Sequence, residues 1–337
     1  MENNFNEDQS LNNKNKGPLS NLTPVFFIFM SLTIVFILYQ IIGGSVTLFF
    51  LGEDQALSEE NLNITRIIIS FAQFMFILAP TILLVMLQGD NFKETFRLKM
   101  PKFSVLIFAI FGLFIVQPFL QLFLYYQNEF IFSLPFGQET LSQLKELFDM
   151  LESSTEKLVI SKSFPEFILI VFVIAVTPAV CEEFLFRGLV FRNLEKVIPA
   201  SKAIFFTGLL FALFHFHPFN LIPLVILGIY LTFIVYHSGS IYTAIICHFL
   251  NNLISAAAIY IYGTESLHAD KMSGDEQMQF ILLGGISLVV FILVIYLIKK
   301  YSVYEKFNDL KNESDKDNES KSKLNSDDNT NLPFSNE

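Results

Sequence analysis

Long, nearly uninterrupted apolar stretches recur along this chain and constrain its fold more than any other feature. Eight are legible from hydropathy, at about 24–50, 66–88, 103–126, 166–191, 202–217, 219–236, 239–262 and 278–298. Most exceed about 18 residues, the length a helix needs to cross a hydrocarbon core about 30 Å thick. Composition agrees: 53% of the residues are hydrophobic, mean hydropathy is +0.51 and only 16% are charged, where a soluble chain carries about a quarter. The expected fold is all-α, a polytopic transmembrane helical bundle of about eight helices. It is surrounded by membrane lipids, and if the source is bacterial, as Asn, Lys and Ile usage hints, the membrane is the cytoplasmic one.

Orientation follows from Lys and Arg in short loops. Residues 89–102 carry Lys93, Arg97, Lys99 and Lys102; Arg192, Lys196 and Lys202 follow the fourth stretch, and Lys299 and Lys300 the last. Residues 51–65 hold Glu53, Asp54, Glu59 and Glu60 and no basic residue before Arg66, and 263–277 is mostly acidic. The alternation places both termini in the cytoplasm. A net charge of −10 argues against a nucleic-acid partner, which calls for a basic face. Cys181 and Cys247 lie inside apolar stretches and read as packing residues, with no disulfide framework. The first apolar run is too long for a signal-peptide core and should remain as an anchor.

Five segments follow. Residues 1–23 read as a disordered tail; 24–158 as N-terminal transmembrane helices with an amphipathic connection; 159–262 as a catalytic core; 263–298 as the last loop and helix. Residues 299–337, rich in Asn, Asp, Ser, Glu and Lys, read as a second disordered tail. Within the connection, Leu144, Leu147, Phe148 and Leu151 fall at helical spacing between Leu141 and Leu158. That fits an amphipathic helix at the outer interface, or equally a soluble helix packed on the bundle.

An ionisable residue inside a span is costly and marks function by default. Three places concentrate such residues: Glu182-Glu183 with Arg187, then Phe211 with His215, then His248 with Asn251 and Asn252. Glu183 and Arg187 stand four apart with the acid first, the favourable order for a pair on one face. Glu182 points about 100° away, free to face a cavity and activate water as a general base. Pro178 removes the hydrogen bond to the Ile174 carbonyl, so a kink is expected just before the acids. Counted inward from the basic border, Glu182, His215 and His248 all lie about 15–21 Å deep at about 1.5 Å per residue. Equal depth on three helices points to one shared site.

These residues, in this order, resemble the CAAX-processing and bacteriocin-processing (CPBP, Abi) family of intramembrane proteases, whose pattern is EExxxR, FxxxH and HxxxN on successive core helices. The resemblance covers roughly residues 160–262. It implies an intramembrane (metallo)endopeptidase of CAAX-protease type, acting on a peptide or lipidated protein, prenylated or carrying a leader. It also implies Glu182 as the residue activating water, His215 as a second base or metal ligand, and His248 with Asn252 holding the oxyanion. Glu183 and Arg187 complete the catalytic set. No HExxH helix is present, so a zincin site is excluded; Glu182, His215 and His248 are the candidate ligands for Zn2+ in an open site. Alternatives from other classes are a catalytically silent scaffold or immunity protein of the same fold, and a proton-coupled transporter. Asn251 reads as helix–helix glue, His217 as a lesser site candidate, and His237 and His268 as loop residues. Oligomeric state is not legible.

Overall fold

A computed structural model describes residues 17–52, 56–133, 137–264 and 274–302. Every regular element among them is helical. Seven helices are long and apolar enough to cross a membrane: α1 (Pro24–Leu51), α2 (Leu62–Gln88), α3 (Phe103–Ser133), α5 (Phe164–Glu195), α7 (Pro218–Ser238), α8 (Ile241–Tyr262) and α9 (Gly274–Lys300). Two further helices are α4 (Gln138–Val159) and α6 (Ala200–Phe214), and a single helical turn spans Phe92–Thr95. The protein is an integral, multi-pass membrane protein.

The expected eight spans become seven plus α6, which has 15 residues. At about 1.5 Å per residue α6 extends about 22 Å, short of the hydrocarbon thickness. Its partner α7 lies against it along a close backbone crossing: a Cβ on Gly228 would stand 2.8 Å from the Gly208 carbonyl oxygen and 2.9 Å from its Cα. Small residues permit such approach between membrane helices.

Two ends of the bundle are tied by different chemistry. At the end bearing the basic loops, Lys196 pairs with Asp90 at 2.5 Å and Arg97 with Glu195. Gln88 donates to Asn193 at 2.7 Å, and the Ser302 hydroxyl donates to the His237 carbonyl at 2.9 Å. His237 thus lies buried in the last turn of α7, where a loop position was expected: its apolar neighbours Phe233 and Tyr236 draw the ring inward. His268 lies outside the described residues. At the opposite end, Arg66 is fully buried and ties three segments. It pairs with Glu166 of α5 at 2.5 Å and donates to the Leu158 and Ile160 carbonyls that close α4, at 2.8 and 2.6 Å.

Most of both expected tails lies outside the described residues. Of the first, residues 17–23 form a turn whose Leu19 N–H bonds the Leu87 carbonyl at 2.9 Å; of the second, Lys299 and Lys300 still belong to α9.

Four wide turns with i→i+5 bonding interrupt the long helices: Ile37–Gly43 in α1, Phe74–Leu78 in α2, and Phe172–Val176 and Phe184–Val190 in α5. Those of α1 and α2 touch each other, and that of α2 packs on Thr177–Glu183. Such turns occur frequently at functional sites, and here two of them flank Glu182 and Glu183.

Candidate active site

The site assembles where α5 departs from regular geometry. Pro178 leaves the Ile174 carbonyl without its helical donor, as the sequence predicts. The Asn252 side-chain amide of α8 takes that place, donating to Ile174 O at 3.1 Å. Thr177 compensates on its own turn, its hydroxyl bonding Phe172 O at 2.9 Å and Ser70 of α2 at 2.9 Å. The break is therefore held from both sides, and the next turn carries the two glutamates.

Glu183 and Arg187 form the expected pair, Oε1 to Nη1 at 2.8 Å, with both side chains fully buried. The same Oε1 also receives His248 Nδ1 at 2.8 Å. Because a carboxylate only accepts, His248 carries its proton on Nδ1. Arg187 donates as well to the Gly228 carbonyl at 3.0 Å, and its guanidinium lies 4.6 Å from the Phe211 ring centroid. One buried ion pair thus locks α5, α6, α7 and α8 together.

Glu182 leaves this network. Its Oε2 faces His215 Nε2 at 3.6 Å, beyond hydrogen-bond reach. That oxygen has no hydrogen-bond partner among the described residues. The orientation of His215 follows from how α6 ends. The last turn tightens, His215 N–H bonding the Ala212 carbonyl at 3.2 Å. The freed Phe211 carbonyl is then met by the ring's own Nδ1 at 2.8 Å. A carbonyl accepts only, so Nδ1 holds the proton and Nε2 of the neutral ring is the basic nitrogen. The chain then turns through Phe216 at φ +51°, a left-handed conformation that is costly for a bulky residue and is found at functional sites.

Three motifs thus resolve into two functional groupings. Glu182 and His215 face one another apart from the rest. Glu183, Arg187 and His248 form the frame, and Asn252 closes the proline break. The expected ligand trio Glu182, His215 and His248 is not brought together, since His248 turns to Glu183. Among the described residues no cluster of three His, Cys, Asp or Glu side chains is arranged to hold a metal ion. Spacing alone could not show which carboxylate His248 would choose. Asn251 accepts from Gln117 of α3 at 2.9 Å, the helix-to-helix bond expected of it.

A cleft of about 610 Å3 opens beside His215. Phe36 and Gln40 of α1, Phe148 and Leu151 of α4, and the turn after α6 wall it. His217 belongs to that turn, its Nδ1 accepting the Asn220 N–H at 3.2 Å while Phe148 packs 5.4 Å from its ring. The contributions of α1 and α4 were not read from the sequence. Only the amphipathic spacing around Phe148 signalled a surface in need of a partner.

Comparison with known families bears on this core. Residues 164–254 match the Rce1-like family of type II CAAX prenyl endopeptidases. The matched stretch runs from the start of α5 into α8 and contains Glu182, Glu183, Arg187, His215, His248 and Asn252. The Rce1-like core agrees with the CAAX-protease resemblance of the motifs and supports an intramembrane protease. Searches of curated proteins and of solved structures returned no match.

Proposed function

We propose that this protein is an intramembrane endopeptidase in which Glu182 and His215 activate the attacking water. The observation that carries the reading is that Glu182 Oε2 and His215 Nε2 face one another at 3.6 Å. One water oxygen can lie within hydrogen-bond reach of both groups. Such a water donates one proton to each, which leaves an oxygen lone pair directed away from both and toward a peptide carbonyl. Glu182 accepts the proton as the oxygen attacks, and His215 shares it on the way to the leaving amine. The frame serves geometry instead. Arg187 neutralises Glu183, and Glu183 orients His248, so the helix bearing Glu182 cannot rotate. The scheme uses no metal step.

The test is peptidase activity of purified full-length protein against quenched-fluorescence peptides, with and without a prenylated C-terminus. Glu182→Gln and His215→Ala should each abolish turnover, while a strong chelator leaves the native enzyme active. Retained turnover in Glu182→Gln would remove the base, and activity lost to chelation and restored by Zn2+ would replace this scheme with a metal centre.

A further inference from the structure

The cleft beside His215 carries information about the substrate. It rests on the protease reading just given, and it concerns what fills the site and from which side. Among the described residues its walls contain no Asp, Glu, Lys or Arg. Apolar rings and a leucine, Phe36, Phe148, Leu151 and Phe216, alternate there with the amides of Gln40 and Asn220 and with His217. A volume of about 610 Å3 falls in the range of sites that enclose a small ligand.

That mixture discriminates between occupants. An isoprenoid has no polar atom, and seating one against Gln40 and Asn220 would strip those amides of water without compensation. A peptide segment offers N–H and C=O groups at every residue and suits the same wall. The molecule also shows what an apolar seat looks like. A groove on α9 is lined, among the described residues, by Ile281, Leu282, Gly285, Ile286, Val289 and Val290.

Access can be read from the fold. The cleft lies at the end of α6 that is remote from Lys202, beside the α6–α7 turn and beneath α4. The basic loops gather at the other end. Here α4 covers this turn, with Phe148 turned inward against His217 and Phe219, at 5.4 and 6.0 Å. Leu147 and Leu151 of the same helix stay about half exposed, at 51% and 53%.

We propose that this cleft is the substrate site, that it takes an uncharged, apolar peptide segment without a prenyl group, and that it fills from the face opposite the basic loops, past Phe148 and Leu151 of α4.

A cysteine at the exposed position 40 reads all three parts. The native Cys181 and Cys247 are both buried, so Gln40→Cys offers a single reactive thiol in the full-length chain. It is combined with Glu182→Gln so that probes are not cut. A membrane-impermeant maleimide added to intact cells should label this variant. In membranes, a synthetic peptide of Phe, Leu, Ala and Ser should slow labelling about tenfold when near saturation. The same peptide with central Lys and Asp should not protect, and a C-terminal farnesyl group should add nothing. Labelling only after the cytoplasmic face is opened would overturn the side of access. Protection by the charged peptide, or by the farnesylated one alone, would overturn the substrate class. No protection by any peptide would overturn the cleft as substrate site. Should Gln40→Cys fail to fold, Leu151→Cys carries the same measurements. Labelling needs no catalysis, so its failure beside Glu182-dependent peptidase activity would leave the proposed function standing. Protection without such activity would instead count against the proposed chemistry alone.

Discussion

Adjacent glutamates with opposite surroundings are the residue-scale feature on which the proposed chemistry rests. Glu183 is fully buried and meets two donors, whereas Glu182 is 16% exposed and meets none at hydrogen-bond distance among the described residues. Arg187→Gln should therefore leave Glu183 uncompensated in a dry interior, which typically costs about 3–5 kcal/mol. Thermal unfolding in detergent should show a clearly lowered Tm for Arg187→Gln; an unchanged one would mean that the pair does not frame the site. The i, i+4 spacing made Glu183–Arg187 readable from the chain, because one helix fixes that geometry by itself. The partners of His248 and Asn252 were not readable. Both were expected at the oxyanion, but each reaches across to α5, and an interhelical bond depends on rotations that spacing does not encode. The link between Asn252 and Pro178 was half visible, in that the proline announced an orphan carbonyl without naming its donor.

Helices, in turn, owe their positions to a few close approaches. The Gly208–Gly228 crossing brings α7 near enough for the Gly228 carbonyl to accept from Arg187 at 3.0 Å. A methyl group there would meet backbone within 3 Å. Gly228→Ala should cost about 1–3 kcal/mol by overpacking and lower turnover as Arg187 loses its second acceptor. Melting and peptidase assays on this one variant check both, and a native-like enzyme would show that the crossing has slack. Asn252→Ala removes the donor that meets Ile174 O. It should cost about 1–3 kcal/mol as a polar group left unsatisfied and reduce activity without abolishing it. Loss of activity with an unaltered Tm would instead return Asn252 to a purely catalytic duty. At this scale helix positions were legible to within a few residues, since apolar length dictates them, except that α3 runs on to Ser133, seven residues past its expected end. The wide turns were not, because i→i+5 bonding leaves no mark in hydropathy.

Across the whole molecule, contacts at the two ends sort the loops into two sets, and the basic loops fall together. Lys196 with Asp90, Arg97 with Glu195 and Ser302 with His237 all join segments assigned to the cytoplasm by charge. Whether or not α6 reaches the far interface, the α6–α7 hairpin returns the chain to the side it left, so the topology does not depend on counting seven spans or eight. Reporter fusions at residues 95 and 310 should register the cytoplasm and one at 270 the opposite side; exchanged signals would invert the molecule and the side from which the cleft fills. The account as a whole stands on the division between a reactive carboxylate and a structural one. Paired melting and peptidase assays on Glu182→Gln and Glu183→Gln test it most directly. Glu182→Gln should melt at or slightly above the native temperature and show no turnover, while Glu183→Gln should melt lower and lose activity with it. An active Glu182→Gln enzyme, or a destabilised Glu182→Gln beside a stable Glu183→Gln, would contradict the account.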